Sequence, residues 1–186
     1  MRGAALALML AAGALSAREC ELKTLEWTAF KTPLKTGVSG TFERIAYIPA
    51  KESCLEGSRA IINKHSVTTG NAARDKTLDM AFFSKLPGDI TAKIEAVKKD
   101  RLDVAITLGG ITKIVPFHYK KEGDTHKAHG VIDLLDFAAD DALRSINRAC
   151  YDLHEGKTWS DVELRFEIKE GGAKPAGERE MHKSML

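Results

Sequence analysis

Histidine and serine side chains could support acid–base or nucleophilic chemistry, but their spacing in this chain argues against it. His65 and Ser66 are adjacent in a segment with strand-like alternation, so their side chains are expected to point to opposite faces. The chain also has no Gly-x-Ser-x-Gly turn, which exposes the serine nucleophile in many hydrolases. We therefore expect no catalytic residues and predict that the protein is not an enzyme.

The histidines and cysteines do not indicate a metal site either. His126 and His129 are three residues apart in another alternating segment and are expected to face opposite ways. Cys20, Cys54 and Cys150 form no CxxC or CxxH pair, whereas structural zinc sites usually have closely spaced ligands. We expect neither a metal nor any other cofactor.

The composition is that of a single globular domain with no bulk attraction for nucleic acid. The 186 residues are 44% hydrophobic and 29% charged, which is ordinary for a folded chain of this length. The 28 basic and 26 acidic side chains leave a net charge of +2, which is too small for strong attraction to nucleic-acid phosphates. We expect no nucleic-acid partner.

The first 17 residues are typical of a secretory signal peptide. Arg2 precedes an unbroken small and apolar run from Ala4 to Leu15, which is too short for a transmembrane span, and no second such run follows. Cleavage after Ala17 would release a periplasmic or secreted chain. Lipoprotein processing at Cys20 is the alternative, but Glu19 is bulky and charged where that processing requires a small residue.

Alternation of apolar and polar residues predicts a mostly β chain. In residues 162–169 every second residue is apolar and each residue between them is charged. Residues 90–96 and 102–108 alternate on either side of a polar turn at 98–100, which predicts a hairpin. The eight predicted strands are 24–31, 37–48, 58–67, 90–96, 102–108, 111–119, 126–137 and 162–169. Their short connections favour an antiparallel sheet or barrel.

Two segments have a helical period instead. Apolar residues in 139–154 recur at spacings of four, three, four and three, which is typical of an amphipathic helix. A weaker helical pattern covers 71–83. Residues 170–186 have no periodicity, so we predict a flexible tail there, after a signal peptide at 1–17 and one β-barrel domain at 18–169.

Three short motifs together resemble the YceI-like family. They are Ser66 to Asp75 (SVTTGNAARD) with Leu78 and Phe82-Phe83 after it, Gly40-Thr41-Phe42, and Gly110-Ile111-Thr112-Lys113. Their order agrees with the family, and the resemblance covers residues 24–169. The helical segment 139–154 is not part of the commoner family pattern.

The resemblance implies an exported bacterial protein with an all-β fold, an eight-stranded antiparallel lipocalin-like barrel, to which the helical periods add two short helices. Family members hold a polyisoprenoid, a quinone-like tail or a fatty-acid amide in the lumen. A barrel of eight strands either is filled by its own side chains or holds one small ligand, so its inward positions are apolar in both cases. The candidate lumen residues are Trp27, Phe42, Ile62, Ile94, Val104, Ile106, Val115, Phe117, Leu134, Leu164 and Phe166.

Selectivity for such a ligand would come from polar groups at the mouth of the barrel. Each buried methylene contributes about 0.8 kcal/mol whatever molecule carries it, so the tail discriminates poorly. Asn71, Arg74 and Asp75 are the candidates for contact with a polar head group. Their alternative role is local, in forming the turn and a surface ion pair.

The sequence therefore predicts a binding or carrier protein for a long-chain amphiphilic lipid. The alternative is a non-catalytic interaction module with a filled barrel, whose outer surface binds a membrane redox protein. Both fit the alternation, because a dry strand face packs against other side chains as readily as against a ligand. A homodimer is compatible with either function.

One disulfide is expected, because three cysteines in an oxidising compartment leave one unpaired. Cys20 precedes the first strand, and Cys150 lies shortly before the last strand. The first and last strands of a closed antiparallel barrel are neighbours. We therefore predict a Cys20–Cys150 bridge and a free Cys54.

Overall fold

The computed structural model describes residues 18–173, which form ten β-strands and two α-helices. The strands are β1 (Arg18–Lys31), β2 (Thr36–Phe42), β3 (Ile45–Ile48), β4 (Arg59–Ile62), β5 (Val67–Thr68), β6 (Ile90–Val97), β7 (Arg101–Leu108), β8 (Ile111–Glu122), β9 (Thr125–Asp133) and β10 (Thr158–Ala173). The helices are α1 (Ala72–Ala81) and α2 (Asp140–Ala149). The predicted signal peptide lies outside the described residues.

The strands form one curled antiparallel sheet. Its hydrogen-bonded order is β3-β4-β6-β7-β8-β9-β10-β1-β2-β5. β2 pairs with β5 at one end of the sheet, and β3 pairs with β4 at the other end. Because β2 and β3 are consecutive, the short connection between them brings the two ends of the sheet together. At this junction Glu43 N–H donates to Ser66 O (2.9 Å) and Asn63 N–H donates to Arg44 O (3.0 Å). The fold is therefore mostly β, a curled half-barrel with two helices.

The predicted count of eight strands is wrong, because two of the predicted strands are interrupted. The segment 37–48 divides into β2 and β3, and the segment 58–67 divides into β4 and β5 around a 3-10 turn at Lys64–Ser66. Ser66 Oγ donates to Asn63 O (2.6 Å) and accepts from Arg44 N–H (3.0 Å). Such short polar side chains compete with the hydrogen bonds of a strand. The four residues at this break, 63–66, are all polar, so the apolar alternation stops there.

The last strand extends beyond the predicted start of the tail. Glu170 N–H donates to Asp124 O (2.8 Å), and the Glu170 carboxylate accepts from Lys121 Nζ (2.9 Å). His126 Nε2 lies 3.2 Å from the same carboxylate. The boundary at residue 170 is therefore wrong, since β10 ends at Ala173. Residues 174–186 of the predicted tail lie outside the described residues.

Both helices lie at the same end of the sheet. α1 follows β5, and α2 precedes β10, so both are near the end where β1 finishes at Lys31. α2 buries Ala142 and Ile146 against the core, as its amphipathic pattern predicts. α1 buries no residue fully and is capped at its start by Asn71, whose Oδ1 accepts from Arg74 N–H (3.0 Å).

The predicted Cys20–Cys150 bridge is wrong. Cys20 is bonded to Cys54, with a Cα–Cα distance of 5.4 Å, and Cys150 is a free, half-buried thiol. β1 and β10 are neighbours, as expected, but they are antiparallel, so Cys20 lies opposite Glu170 at the far end of β10. Cys150 precedes β10, whose first residue, Thr158, is paired with Lys31. The two cysteines are thus at opposite ends of the same ladder.

We expect the oxidised, denatured protein to contain one free thiol. Cys150→Ser should remove it, whereas Cys54→Ser should raise the count to two by releasing Cys20. Reduction of the native protein should lower its free energy of unfolding by about 3–4 kcal/mol, because the bridge joins residues 34 positions apart. Thiol titration and denaturant unfolding measure the two effects. Two free thiols in Cys150→Ser would contradict this pairing.

Candidate functional site

An apolar cavity of about 570 Å³ lies inside the curled sheet and beneath the two helices. This volume is within the roughly 300–1,000 Å³ typical of small-molecule pockets. The walls come mainly from β1, β6, β7 and β10, and α1 and α2 cover one end. The interior carries aliphatic and aromatic side chains, with polar groups confined mostly to the end near the helices. Ordered water requires two to four polar partners, so the interior suits an apolar molecule better.

Most of the predicted lumen residues border this cavity. The nine that do so are Trp27, Phe42, Ile62, Val104, Ile106, Phe117, Leu134, Leu164 and Phe166. Ile94 and Val115 are outside this lining. They are the cross-strand partners of Val104 and are buried in the core, with 5% and 7% exposure. Alternation along a strand predicts which face a residue is on, but not whether the space before it is open.

The Gly40-Thr41-Phe42 motif has a packing role in the cavity wall. A Cβ atom at Gly40 would lie 2.4 Å from Cζ2 of Trp27 and 2.8 Å from the carbonyl oxygen of Thr68, so only glycine fits. Thr41 Oγ1 donates to Leu25 O (2.5 Å), where the pairing of β1 with β2 ends. Within residues 18–173, Trp27 Nε1 is the buried side-chain polar atom that has no hydrogen-bond partner.

The first turn of α1 forms one part of the rim. Asn71 and Arg74 border the cavity, whereas Asp75 does not. Asp75 Oδ1 accepts from both N–H (2.8 Å) and Oγ1 (2.6 Å) of Thr69, which assigns this carboxylate to the turn. The Asn71 side chain caps α1. The Arg74 guanidinium forms no hydrogen bond or ion pair with any residue from 18 to 173.

The other part of the rim is formed by residues that the sequence analysis missed. These are Lys31, at the end of β1, Cys150 and His154, between α2 and β10, and Thr158, the first residue of β10. Thr158 Oγ1 donates to Asn147 Oδ1 (2.8 Å) and therefore accepts from His154 Nδ1 (2.7 Å). Nδ1 then carries the proton of the neutral imidazole. The signal in the sequence for this part of the rim is the spacing of Cys150 and His154, which are four residues apart at the end of a helix.

Burial and a nearby cation determine the protonation of this part of the rim. Desolvation raises the pKa of the Cys150 thiol, and the Lys31 ammonium opposes that change. Desolvation and then the Lys31 ammonium lower the pKa of His154. At neutral pH the thiol is protonated and the imidazole is uncharged, so Cys150 is a poor nucleophile.

The turn between β1 and β2 stabilises the rim beside Lys31. Trp159 Nε1 donates to Thr32 O (2.9 Å), and Lys35 Nζ lies 5.1 Å from the centre of the Trp159 ring. Lys35 also forms an ion pair with Asp161 (2.7 Å). Leu153 borders the cavity and is nevertheless 74% exposed, which marks the opening to solvent.

The other candidate chemical groups lie away from the cavity. Tyr119 OH is 2.8 Å from His126 Nδ1, in the network that includes Glu170 at the opposite end of the sheet. His129 faces outward and stacks on His118, with ring centres 5.0 Å apart. Among residues 18–173, no three His, Cys, Asp or Glu side chains form a group that could hold a metal ion.

Comparison with known proteins identifies the family. The model of the YceI-like domain matches residues 22–169. This chain belongs to the YceI-like family. The motifs in residues 40–42, 66–75 and 110–113 all lie within the matched region of this YceI-like protein. None of the curated proteins matches the chain in sequence.

Solved structures share the fold of this YceI-like protein at low sequence identity. A polyisoprenoid binding domain from Saccharophagus degradans is 12% identical, with a TM-score of 0.60, over 82% of this chain and 98% of that one. The Campylobacter jejuni YCEI protein is 19% identical, with a TM-score of 0.53, over 74% and 86%. Burkholderia cenocepacia BcnA is 16% identical, with a TM-score of 0.50, over 77% and 94%. These similarities establish a lipocalin-like fold.

A carboxylate inside the cavity should destabilise this YceI-like protein. Ile106→Asp replaces a cavity-lining side chain that is 5% exposed, and burial of an unpaired carboxylate costs several kcal/mol unless the group is protonated. Ile114→Asp makes the same change on the outer face, where the side chain is 59% exposed, and should cost less than about 1 kcal/mol. Thermal unfolding compares the two variants. Equal losses would show that the inner face is wrongly assigned.

The Cys150 thiol should react slowly at neutral pH. Because burial raises its pKa, the thiolate fraction at a given pH is smaller than for an exposed cysteine, and the rate should increase as the pH rises through the raised pKa. Iodoacetamide labelling of the native protein as a function of pH measures this, with Cys150→Ser as the unlabelled control. An apparent pKa below the usual thiol value would contradict the effect of burial.

Proposed function

We propose that this YceI-like protein binds or carries a long-chain amphiphilic lipid, with the tail in the cavity and the head group at the rim. The observation that carries the proposal is the open apolar volume of about 570 Å³ inside a sheet whose core is otherwise packed. Protein interiors usually contain few voids larger than a water molecule, so a space of this size has a use other than packing. The ligand classes proposed are a polyisoprenoid, a quinone-like tail and a fatty-acid amide.

The comparisons support this proposal at the level of the ligand class. One solved structure of the same fold is named as a polyisoprenoid binding domain. The cavity supports a binding protein over an interaction module with a filled barrel. The protonated Cys150 thiol and the neutral His154 favour binding over nucleophilic catalysis.

We also propose export to the bacterial periplasm. The Cys20–Cys54 disulfide suits an oxidising compartment, because such bonds rarely persist in the cytosol. In the described part of the chain, no helix combines the length and apolar character needed to cross a bilayer.

The test is to identify and then to exclude the ligand. We expect an organic extract of the purified protein to contain about one equivalent of lipid by mass spectrometry. Ala92→Phe places a ring in the cavity and should abolish this lipid while the protein stays folded, because the added atoms fill open space. The control is Ala105→Phe, which adds the same ring to the outer face of the neighbouring strand β7. This variant should retain the lipid.

The proposal fails if no lipid is extracted and if isoprenoid and acyl amphiphiles do not raise the melting temperature of the unmodified protein. That result would favour the interaction module. Equal lipid content in Ala92→Phe and Ala105→Phe would place the lipid outside the cavity.

A further inference from the structure

Two cations at the rim of the cavity have no anionic partner. Lys31 is half-buried and lies on β1, while Arg74 is exposed and lies on α1, and both border the apolar volume. Neither side chain forms an ion pair or a hydrogen bond with any residue from 18 to 173. Eight other lysines in this part of the chain do form ion pairs with carboxylates. Other cations in residues 18–173, such as Lys99 and Arg59, have no carboxylate partner either, so what distinguishes Lys31 and Arg74 is that they border the apolar cavity.

Cations outnumber carboxylates in the lining of the cavity, which includes Lys31, Arg74 and Arg165 but only Glu26 as an acidic residue. Asp75, the acidic residue next to Arg74, is bonded to Thr69. Glu26, the acidic residue in the lining, lies beside Arg165 across the β1–β10 ladder and is exposed. The groups near Lys31 are a protonated thiol and a neutral imidazole, at Cys150 and His154. The rim therefore has a net positive charge.

Lys31 is the last residue of β1 and borders the cavity. Near this end of β1 the lining includes consecutive residues, Ala29, Phe30 and Lys31, and therefore both faces of the strand. The Lys31 ammonium is also close enough to Cys150 and His154 to act on the pKa of each in the lowering direction. A lysine at the end of β1 places its charge where the apolar space meets solvent.

We propose, building on the function proposed above, that the ligand is an amphiphile with an oxyanion head group, a carboxylate or a phosphate, bound by Lys31 and Arg74 above the buried tail. The planar guanidinium of Arg74 can donate two parallel hydrogen bonds to such a group, and Lys31 supplies a point charge. A neutral alcohol, amide or quinone carbonyl would leave both cations without a counter-charge. The structure thus favours a charged head group over the neutral ones.

The test compares ligands that share a tail and differ in charge. Geranylgeranyl phosphate is paired with geranylgeraniol, and palmitate is paired with palmitamide. Hydrogen bonds to charged groups contribute more than neutral ones, so each anion should bind at least about tenfold more tightly than its neutral partner. The difference should shrink as salt is added, because the rim is open to solvent.

Matched variants separate the rim from general surface charge. Lys31→Gln and Arg74→Gln should each weaken anion binding by about threefold to tenfold and leave neutral-ligand binding unchanged. Lys99→Gln, in the hairpin turn at the opposite end, and Arg59→Gln, on β4 away from the cavity, are the controls and should change neither. The salt dependence of the unmodified protein gives a second readout that does not require any variant to fold.

The outcomes distinguish this proposal from the function on which it rests. Equal affinities within each pair, with both ligands bound, would overturn the oxyanion head group and leave lipid binding intact. Failure of all four ligands to bind would overturn lipid binding itself. Inorganic phosphate should not displace geranylgeranyl phosphate at comparable concentration, because it lacks the tail. Binding of phosphate alone, with the same dependence on Lys31 and Arg74, would assign the rim to a free anion and contradict a lipid head group.

Discussion

The antiparallel ladder between β1 and β10 determines where the chemistry of this protein lies. It runs from Arg18 opposite Ala173 to Lys31 opposite Thr158 and is the most extensive strand pairing in the described chain. Its direction places the start of β1 at the end of the sheet away from the helices, where Cys20 meets Cys54. The same ladder places Lys31 beside the segment that carries Cys150 and His154. The stabilising bridge and the polar rim are therefore at opposite ends of the same strand.

The cavity makes stability and binding two aspects of one property. Side chains around an open volume lose dispersion contacts that a packed core would have, so the unliganded protein is less stable than its buried apolar surface suggests. The tail of the proposed ligand would restore those contacts and stabilise the folded state by an amount that increases with the logarithm of the ligand concentration above its Kd. The close packing of Trp27 on Gly40 and the hydrogen bonds of Ser66 then stabilise the shape of the cavity wall, because the open volume itself provides no packing contacts.

Sequence patterns predicted the faces of the strands and the identity of the family, but not distances along the strands. Alternation placed Ile106 and Phe117 correctly on the inner face, and it did the same for Ile94, which does not border the open space. Neighbouring first and last strands were expected, but adjacency alone does not say which ends meet, so Cys20 was paired with the wrong partner. The break at Ser66 lies in four consecutive polar residues, 63–66, which interrupt the apolar period, but the hydrogen bonds that form the turn there cannot be read from the pattern.

Lys31 was missed because a charged residue within an apolar pattern is normally interpreted as the end of that pattern. In the structure it is the last residue of β1 and borders the cavity, as does the exposed Leu153 at the opening to solvent. A lysine can occupy such a position at low cost, since its methylene stem packs against apolar neighbours while the ammonium remains near water. In the proposed complex the tail supplies most of the affinity but little discrimination, because any chain of similar length buries similar area. Discrimination therefore depends on the few polar groups at the rim, and the register of β1 determines that one of them is a cation.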